Sequence, residues 1–188
     1  LRNRERTLTL TLNMKNLSNT EINAIQAAIS LSGLNEAHKT VLLAMIKKPN
    51  EDHGTADLYV DGASDLHSKT AGIGGVIYSN GIEIFSFAIP LIDKTNNEAE
   101  YMAMIKGIQD ALTLNIQDLR IFSDSELVVK QINGEYKVKN DRMKKLHTLV
   151  FSELQNMGKW VVTHVRREKN TRADELSKIG MMEARKNK

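Results

Sequence analysis

The stretch GIGGVIYSNGIEIFSFAI, residues 72–89, decides how the chain folds. Gly72–Ser79 and Ile82–Ile89 are runs rich in β-branched, aromatic and small residues, separated only by Asn80-Gly81. Asn-Gly supplies the positive φ angles of a tight turn whose twist matches that of its flanking strands, so the segment predicts an antiparallel hairpin. Pro90 is expected to stop the second strand, because proline cannot donate to a ladder. Working outward, Leu58–Asp61 predicts a strand before the hairpin. After it, Tyr101, Met104, Ile105, Ile108, Ala111 and Leu112 recur at helical spacing. Leu119–Ser123 reads as a strand, and Leu127, Val128 and Ile132 as a short helix closed at Gly134. Met143, Leu146, Val150, Leu154 and Met157 mark a longer helix, Trp160–Val165 a fifth strand with Trp160 in the core, and Ala173, Leu176 and Ile179 a last helix. The class is α/β, with an antiparallel hairpin on one side of a mixed sheet.

Residues 1–52 read differently. Thr7–Leu12 alternates Thr and Leu like a short strand. Ser18-Asn19-Thr20-Glu21 reads as a capping box opening a helix with Ile22, Ile25 and Ile29 on one face and Gly33 as its stop. Asn35 can cap a second helix carrying Val41, Ala44 and Met45, which Pro49 terminates. The polar stretch Asn50–Gly54 links this helical hairpin to a domain spanning residues 55–182, and residues 183–188 form a basic tail. No motif gives the hairpin a protein partner; a packing or partner-binding element is the plain expectation.

The 188 residues suit one domain with a small appendage. Cysteine is absent, which excludes disulfides and thiolate metal sites. No apolar run of about 18 residues and no signal-peptide pattern occurs, so a soluble, cytoplasmic protein without membrane association is expected. Asn16-Leu17-Ser18 matches a glycosylation acceptor but lacks the secretory context that would use it. A leading leucine is what a fragment or processed product would show.

Four short segments, YVDGAS (59–64), TNNEAEY (95–101), IFSDS (121–125) and NTRADEL (170–176), each deliver an acid from an otherwise apolar element. If Asp61, Glu100, Asp124 and Asp174 converge, each pair at about 4 Å would repel by roughly 4 kcal/mol at an effective dielectric near 20. A fold stable by about 5–15 kcal/mol cannot carry several such repulsions. Hard divalent cations remove them, and a pair of such cations is suited to in-line displacement at phosphorus. The net charge of +3 conceals two basic clusters: Lys137, Lys139, Arg142, Lys144 and Lys145, then Arg166, Arg167, Lys169 and Arg172. Either alone could be a solvated helix face; together, flanking carboxylates, they point to a polyanionic substrate.

In this order and spacing, DGAS after a strand, TNNEAEY opening a helix, SDSELVVKQINGEY across strand and helix, and REKNTRADEL at the end resemble type 1 ribonuclease H over about residues 56–180. The resemblance implies a ribonuclease H-like five-stranded mixed sheet, order 3-2-1-4-5, flanked by helices. It also implies hydrolysis of the RNA strand of RNA/DNA hybrids, with Asp61, Glu100, Asp124 and Asp174 as metal-binding acids. Glu98 rivals Glu100, but the family acid lies five residues after the Thr of TNN, and Thr95 sets that register. Two Mg²⁺, or Mn²⁺ in their place, would serve an attacking water and the departing 3′ oxygen, with Asp61 bridging them. The products would carry 5′-phosphate and 3′-hydroxyl ends. Asn96 and Asn97 are placed to read a 2′-hydroxyl, since amides donate and accept; the plainer role for the pair is helix capping.

The sequence departs from the family pattern in places. The loop after DGAS usually reads Gly-Asn-Pro-Gly; here it is Asp65-Leu66-His67-Ser68-Lys69, with His67 in place of the Asn. Glu126 stands where a substrate-touching Gln is common, and a Trp- and Lys-rich handle is replaced by the compact Tyr136–Lys145 segment. Weaker binding or a steeper salt dependence is expected. His164 lies ten residues before Asp174, as a product-release histidine would, yet the shortened Trp160–Asn170 segment would put it on a strand and Arg166 nearer the acids. Two other readings stay open: a hybrid-binding module with little turnover, and the nuclease part of a retroelement-like polyprotein.

Overall fold

The computed structural model describes residues 19–30, 33–35, 38–39, 42–43, 46 and 55–187. The expected Thr7–Leu12 strand, the Ser18 cap and the Asn50–Gly54 linker lie outside these residues. Helix α1 spans Asn19–Ile29, and each described position from His38 to Ile46 is helical. The chain then forms β1 (Thr55–Asp65), β2 (Thr70–Ser79), β3 (Ile82–Ile92), α2 (Asn96–Thr113), β4 (Asp118–Ser123), α3 (Glu126–Ile132), α4 (Asp141–Leu154), β5 (Lys159–His164), a short 3₁₀ turn at Arg167–Lys169, and α5 (Thr171–Lys186). The last helix thus runs on through most of the basic tail.

The strands make one sheet in the order β3-β2-β1-β4-β5, antiparallel from β3 to β1 and parallel from β1 to β5. The order and the mixed character agree with expectation. The Asn80-Gly81 turn has φ of 52° and 76°, the left-handed pair that a two-residue hairpin demands. Pro90 does not stop β3, contrary to expectation: it pairs opposite Gly72 and the strand continues to Ile92. β3 is an edge strand, and its outer flank has no ladder to interrupt, which is where proline is tolerated.

Alternation along β1 buries Ala56, Leu58 and Val60 on one face and sets Asp57, Tyr59 and Asp61 on the other. Helix α2 packs across β1 and β2 and against α4, whereas α5 crosses β2 and β3. Covered by helices on both sides, β2 is buried almost throughout. Ile29 and Leu43 of the N-terminal helical region join the same core as Phe85, and Gln26 Nε2 donates to the Ile84 carbonyl at 2.7 Å. Trp160 is not a core residue as expected: β5 is the other edge, the residue is 38% exposed, and its ring stands edge-on to Phe151 with centroids 6.1 Å apart. Among the described residues, no helix is long and apolar enough to cross a membrane.

Candidate active site

Asp61 sits on β1 where that strand runs between β2 and β4, and Asp124 follows directly on β4, so parallel pairing of β1 with β4 brings the two acids to one end of the sheet. Glu100 arrives from the second turn of α2. A Cβ added to Gly62 would lie 2.3 Å from the Glu100 backbone nitrogen, so only glycine lets the helix approach this closely. The Gly62 N–H donates to Glu100 Oε2 at 3.2 Å. Carboxylate oxygens of Asp61, Glu100 and Asp124 all lie within 4.8 Å of one another.

The surroundings separate Glu98 from Glu100. Thr95 is the N-cap of α2, its Oγ1 accepting from the Glu98 N–H at 3.3 Å, while Glu98 Oε2 accepts from the Thr95 N–H at 2.9 Å. Glu98 is thus spent on a capping box and faces Arg142 at 3.6 Å. Burial would raise its carboxyl, but the Thr95 donors and Arg142 outweigh that and hold it low. Because Thr95 caps the helix, Asn96 and Asn97 are left exposed in its first turn, and Asn96 Nδ2 donates to Glu100 Oε1 at 3.4 Å.

Burial pushes Glu100 up to about 9, with Asp61 and Asp124 adding repulsion against the help of Gly62 and Asn96. Burial likewise lifts Asp61 to about 7; Ser177 opposes this, and Asp124 and Asp174 reinforce it. Both carboxyls therefore favour the protonated form more than an ordinary carboxylate does, and a bound cation would offset that. Three hard oxygen donors within reach of one another, two of them kept from ionising freely by burial first and by their neighbours second, fit a divalent metal of the magnesium type.

Asp174 stands beside this cluster without joining it. Its carboxylate is gripped by Arg167 and, at 2.5 Å, by Lys178. Burial would raise Asp174, yet these two cations outweigh it and hold the carboxyl below its usual range. Arg167, in the 3₁₀ turn, and Lys178, on α5, are the cations that reach Asp174, and Arg166 is exposed at the head of that turn. His164 ends β5 opposite Ser123 and is exposed. His67 lies in the exposed turn after β1, its N–H donating to Asp65 Oδ1 at 3.0 Å. Glu126 is paired with Lys130 at 2.7 Å, and Lys137 and Lys139 are exposed between α3 and α4.

Two residues that sequence reading passed over touch the acids. Asn170, 1% exposed, donates from Nδ2 to the Val60 carbonyl at 2.9 Å and to Asp124 Oδ1 at 3.1 Å. Ser177, fully buried, donates to Asp61 Oδ2. Their signal was partly available: Asn170 stands at the N-cap of the last helix, four residues before Asp174, and Ser177 lies three residues after Asp174 on the same helix face.

Residues 59–180 match a family model described as reverse transcriptase-like. The chain is 31% identical over 132 residues to a ribonuclease HI of Halobacterium salinarum, covering 70% of this chain and 66% of that protein. It spans 34% of the length of a similar bifunctional protein of Mycobacterium tuberculosis. The solved N-terminal RNase H domain of that mycobacterial protein superposes with a TM-score of 0.68 at 29% identity, covering 71% of this chain and 97% of the solved one. A compost-derived RNase H1, solved in complex with an RNA/DNA hybrid, gives 0.65 at 32% identity, covering 69% and 98%. With the sheet order, the acid-bearing elements and these likenesses in agreement, the chain belongs to the type 1 ribonuclease H family.

Proposed function

We propose that the protein is an endonuclease that hydrolyses the RNA strand of RNA/DNA hybrids, with residues 55–182 as its catalytic unit. The observation that carries this reading is the meeting of Asp61, Glu100 and Asp124 at the end of β1 and β4. These three would hold the metal, Mg²⁺ or Mn²⁺, with Asp174 beside them. When bound, a pair of such cations lowers the pKa of an attacking water and neutralises charge building on the departing 3′ oxygen, leaving 5′-phosphate and 3′-hydroxyl ends.

The chain's own residues supply the rest. Asn96 reaches Glu100 and is exposed, so a ribose 2′-hydroxyl bonded to its amide would lie beside the acids, which selects RNA over DNA. Arg167 balances Asp174 and leaves much of its guanidinium in solvent, where it can meet a phosphate. Lys137, Lys139 and Arg166 add exposed positive charge for the duplex backbone. Lys130 cancels much of the charge of Glu126, which limits the loss of affinity that an acid at this position would cause.

A labelled RNA/DNA hybrid incubated with protein and Mg²⁺ or Mn²⁺ should be cut in its RNA strand alone, with duplex DNA left intact. Binding without cleavage would favour a hybrid-binding module, the outcome expected if Arg167 and Lys178 never release Asp174. Comparable cleavage of duplex DNA would overturn the substrate assignment.

A further inference from the structure

Asn170 makes a costly arrangement whose purpose is visible in its partners. Both groups near its amide nitrogen, the Val60 carbonyl and the Asp124 carboxylate, can only accept. The NH₂ must therefore face them, and Oδ1 is left buried with no hydrogen-bond partner among the described residues. A buried acceptor without a donor is rare enough to require a reason. An apolar side chain of similar size would avoid that penalty, but it would leave the Val60 carbonyl and Asp124 without their donor.

The same residue ties three acid-bearing elements together. Val60 immediately precedes Asp61 on β1, Asp124 ends β4, and the Asn170 carbonyl accepts from the Asp174 N–H at 3.0 Å as α5 begins. Resting on the metal-dependent reading above, we infer that Asn170 is a positioning residue that fixes the Asp124 carboxylate for the cation and indexes it to Asp61 and Asp174. In this role it acts through the Asp124 carboxylate rather than on the substrate. Partners that orient metal ligands in this way typically change affinity by about 10–100-fold when removed.

Calorimetric titration with Mn²⁺ alone tests this on the full chain without any catalytic readout. Asn133→Ala is the matched control, because Asn133 Nδ2 also donates to a strand carbonyl, that of Val162 at 3.2 Å, but its side chain bonds to no acid. Asn170→Ala should weaken Mn²⁺ binding by about 10–100-fold, while Asn133→Ala leaves it unchanged even if both melt earlier. At saturating Mn²⁺, the cleavage rate of Asn170→Ala should return to within a few-fold of the wild type. If Asn170→Ala fails to melt cooperatively, Asn170→Ser, whose hydroxyl falls short of the Nδ2 position, takes its place with the same expectation. Wild-type affinity in the folded Asn170 variant, or an equal loss in Asn133→Ala, overturns the inference and leaves the nuclease reading standing. A wild-type chain that binds no Mn²⁺ removes both.

Discussion

Gly62 and Glu100 meet so closely that the strand and the helix share the space of one missing side chain: a Cβ on Gly62 would sit 2.3 Å from the Glu100 nitrogen and 2.9 Å from the Cβ of Ala99. The obstacle on the helix side includes backbone, which cannot rotate away. Gly62→Ala must therefore push α2 off β1 and carry Glu100 away from Asp61. Overpacking of this kind costs about 1–3 kcal/mol or more. For a chain of this size that is a loss of about 2–4 °C in Tm per kcal/mol. Thermal melts and Mn²⁺ titration should show stability and metal affinity falling together; an unchanged affinity would mean that the approach does not matter to the site.

The raised Asp61 and Glu100 carboxyls fix the sign of a pH effect in metal-free buffer. Their folded values, about 7 and about 9, lie above the ordinary carboxylate value of about 4. The native state then binds more protons than the unfolded one, so stability declines as pH rises. With EDTA present, Tm should fall between about pH 5 and about pH 9, and saturating Mg²⁺ should flatten the decline. A Tm that is level or rises over that interval in EDTA contradicts the raised carboxyls of Asp61 and Glu100.

Ser177→Ala removes the hydroxyl that donates to Asp61 and opposes the upward shift of that carboxyl. Asp61 should then hold its proton to higher pH. Mn²⁺ binding followed against pH should begin later in the variant than in the wild type. Superimposable curves would show that the hydroxyl has no influence on the site.

Asp124→Asn relieves repulsion in the cluster, and its amide oxygen can still accept from Asn170. Cleavage should be abolished. In EDTA at about pH 9, where Asp61 is ionised and Glu100 partly so, the variant should melt higher, a relief of about 1 kcal/mol corresponding to about 2–4 °C. An equal or lower Tm under those conditions speaks against mutual repulsion.

Asn96→Ala separates recognition from folding, because Thr95 and Glu98 cap α2 without it. Stability should hold within about 0.5 kcal/mol of the wild type, as for exposed positions generally. Steady-state kinetics should show a higher KM for hybrid and weaker discrimination against duplex DNA. Unaltered kinetics would remove Asn96 from substrate recognition.

Local chemistry made much of this fold legible. Asn80-Gly81 announces its hairpin, and the Thr95 register picks out the glutamate that the structure places beside Asp61 and Asp124. What stayed hidden depends on neighbours. Pro90 and Trp160 were misread because nothing local says that β3 and β5 are the edges of the sheet, where proline is tolerated and an indole can stay in solvent. The grip on Asp174 combines Lys178, one turn further along α5, with Arg167, whose approach depends on how the 3₁₀ turn folds back. Asn170 lies in the NTRADEL segment and Ser177 just after it, but nothing local announces their roles, since their partners are 46 and 116 residues away in sequence.

The central claim is that Asp61, Glu100 and Asp124 are held together to bind a divalent cation. Crystals soaked in Mn²⁺ and measured for anomalous scattering address it directly. The account predicts a peak within coordination distance of all three carboxylates. A well-ordered crystal with no peak there, or with Mn²⁺ bound only elsewhere, would contradict it.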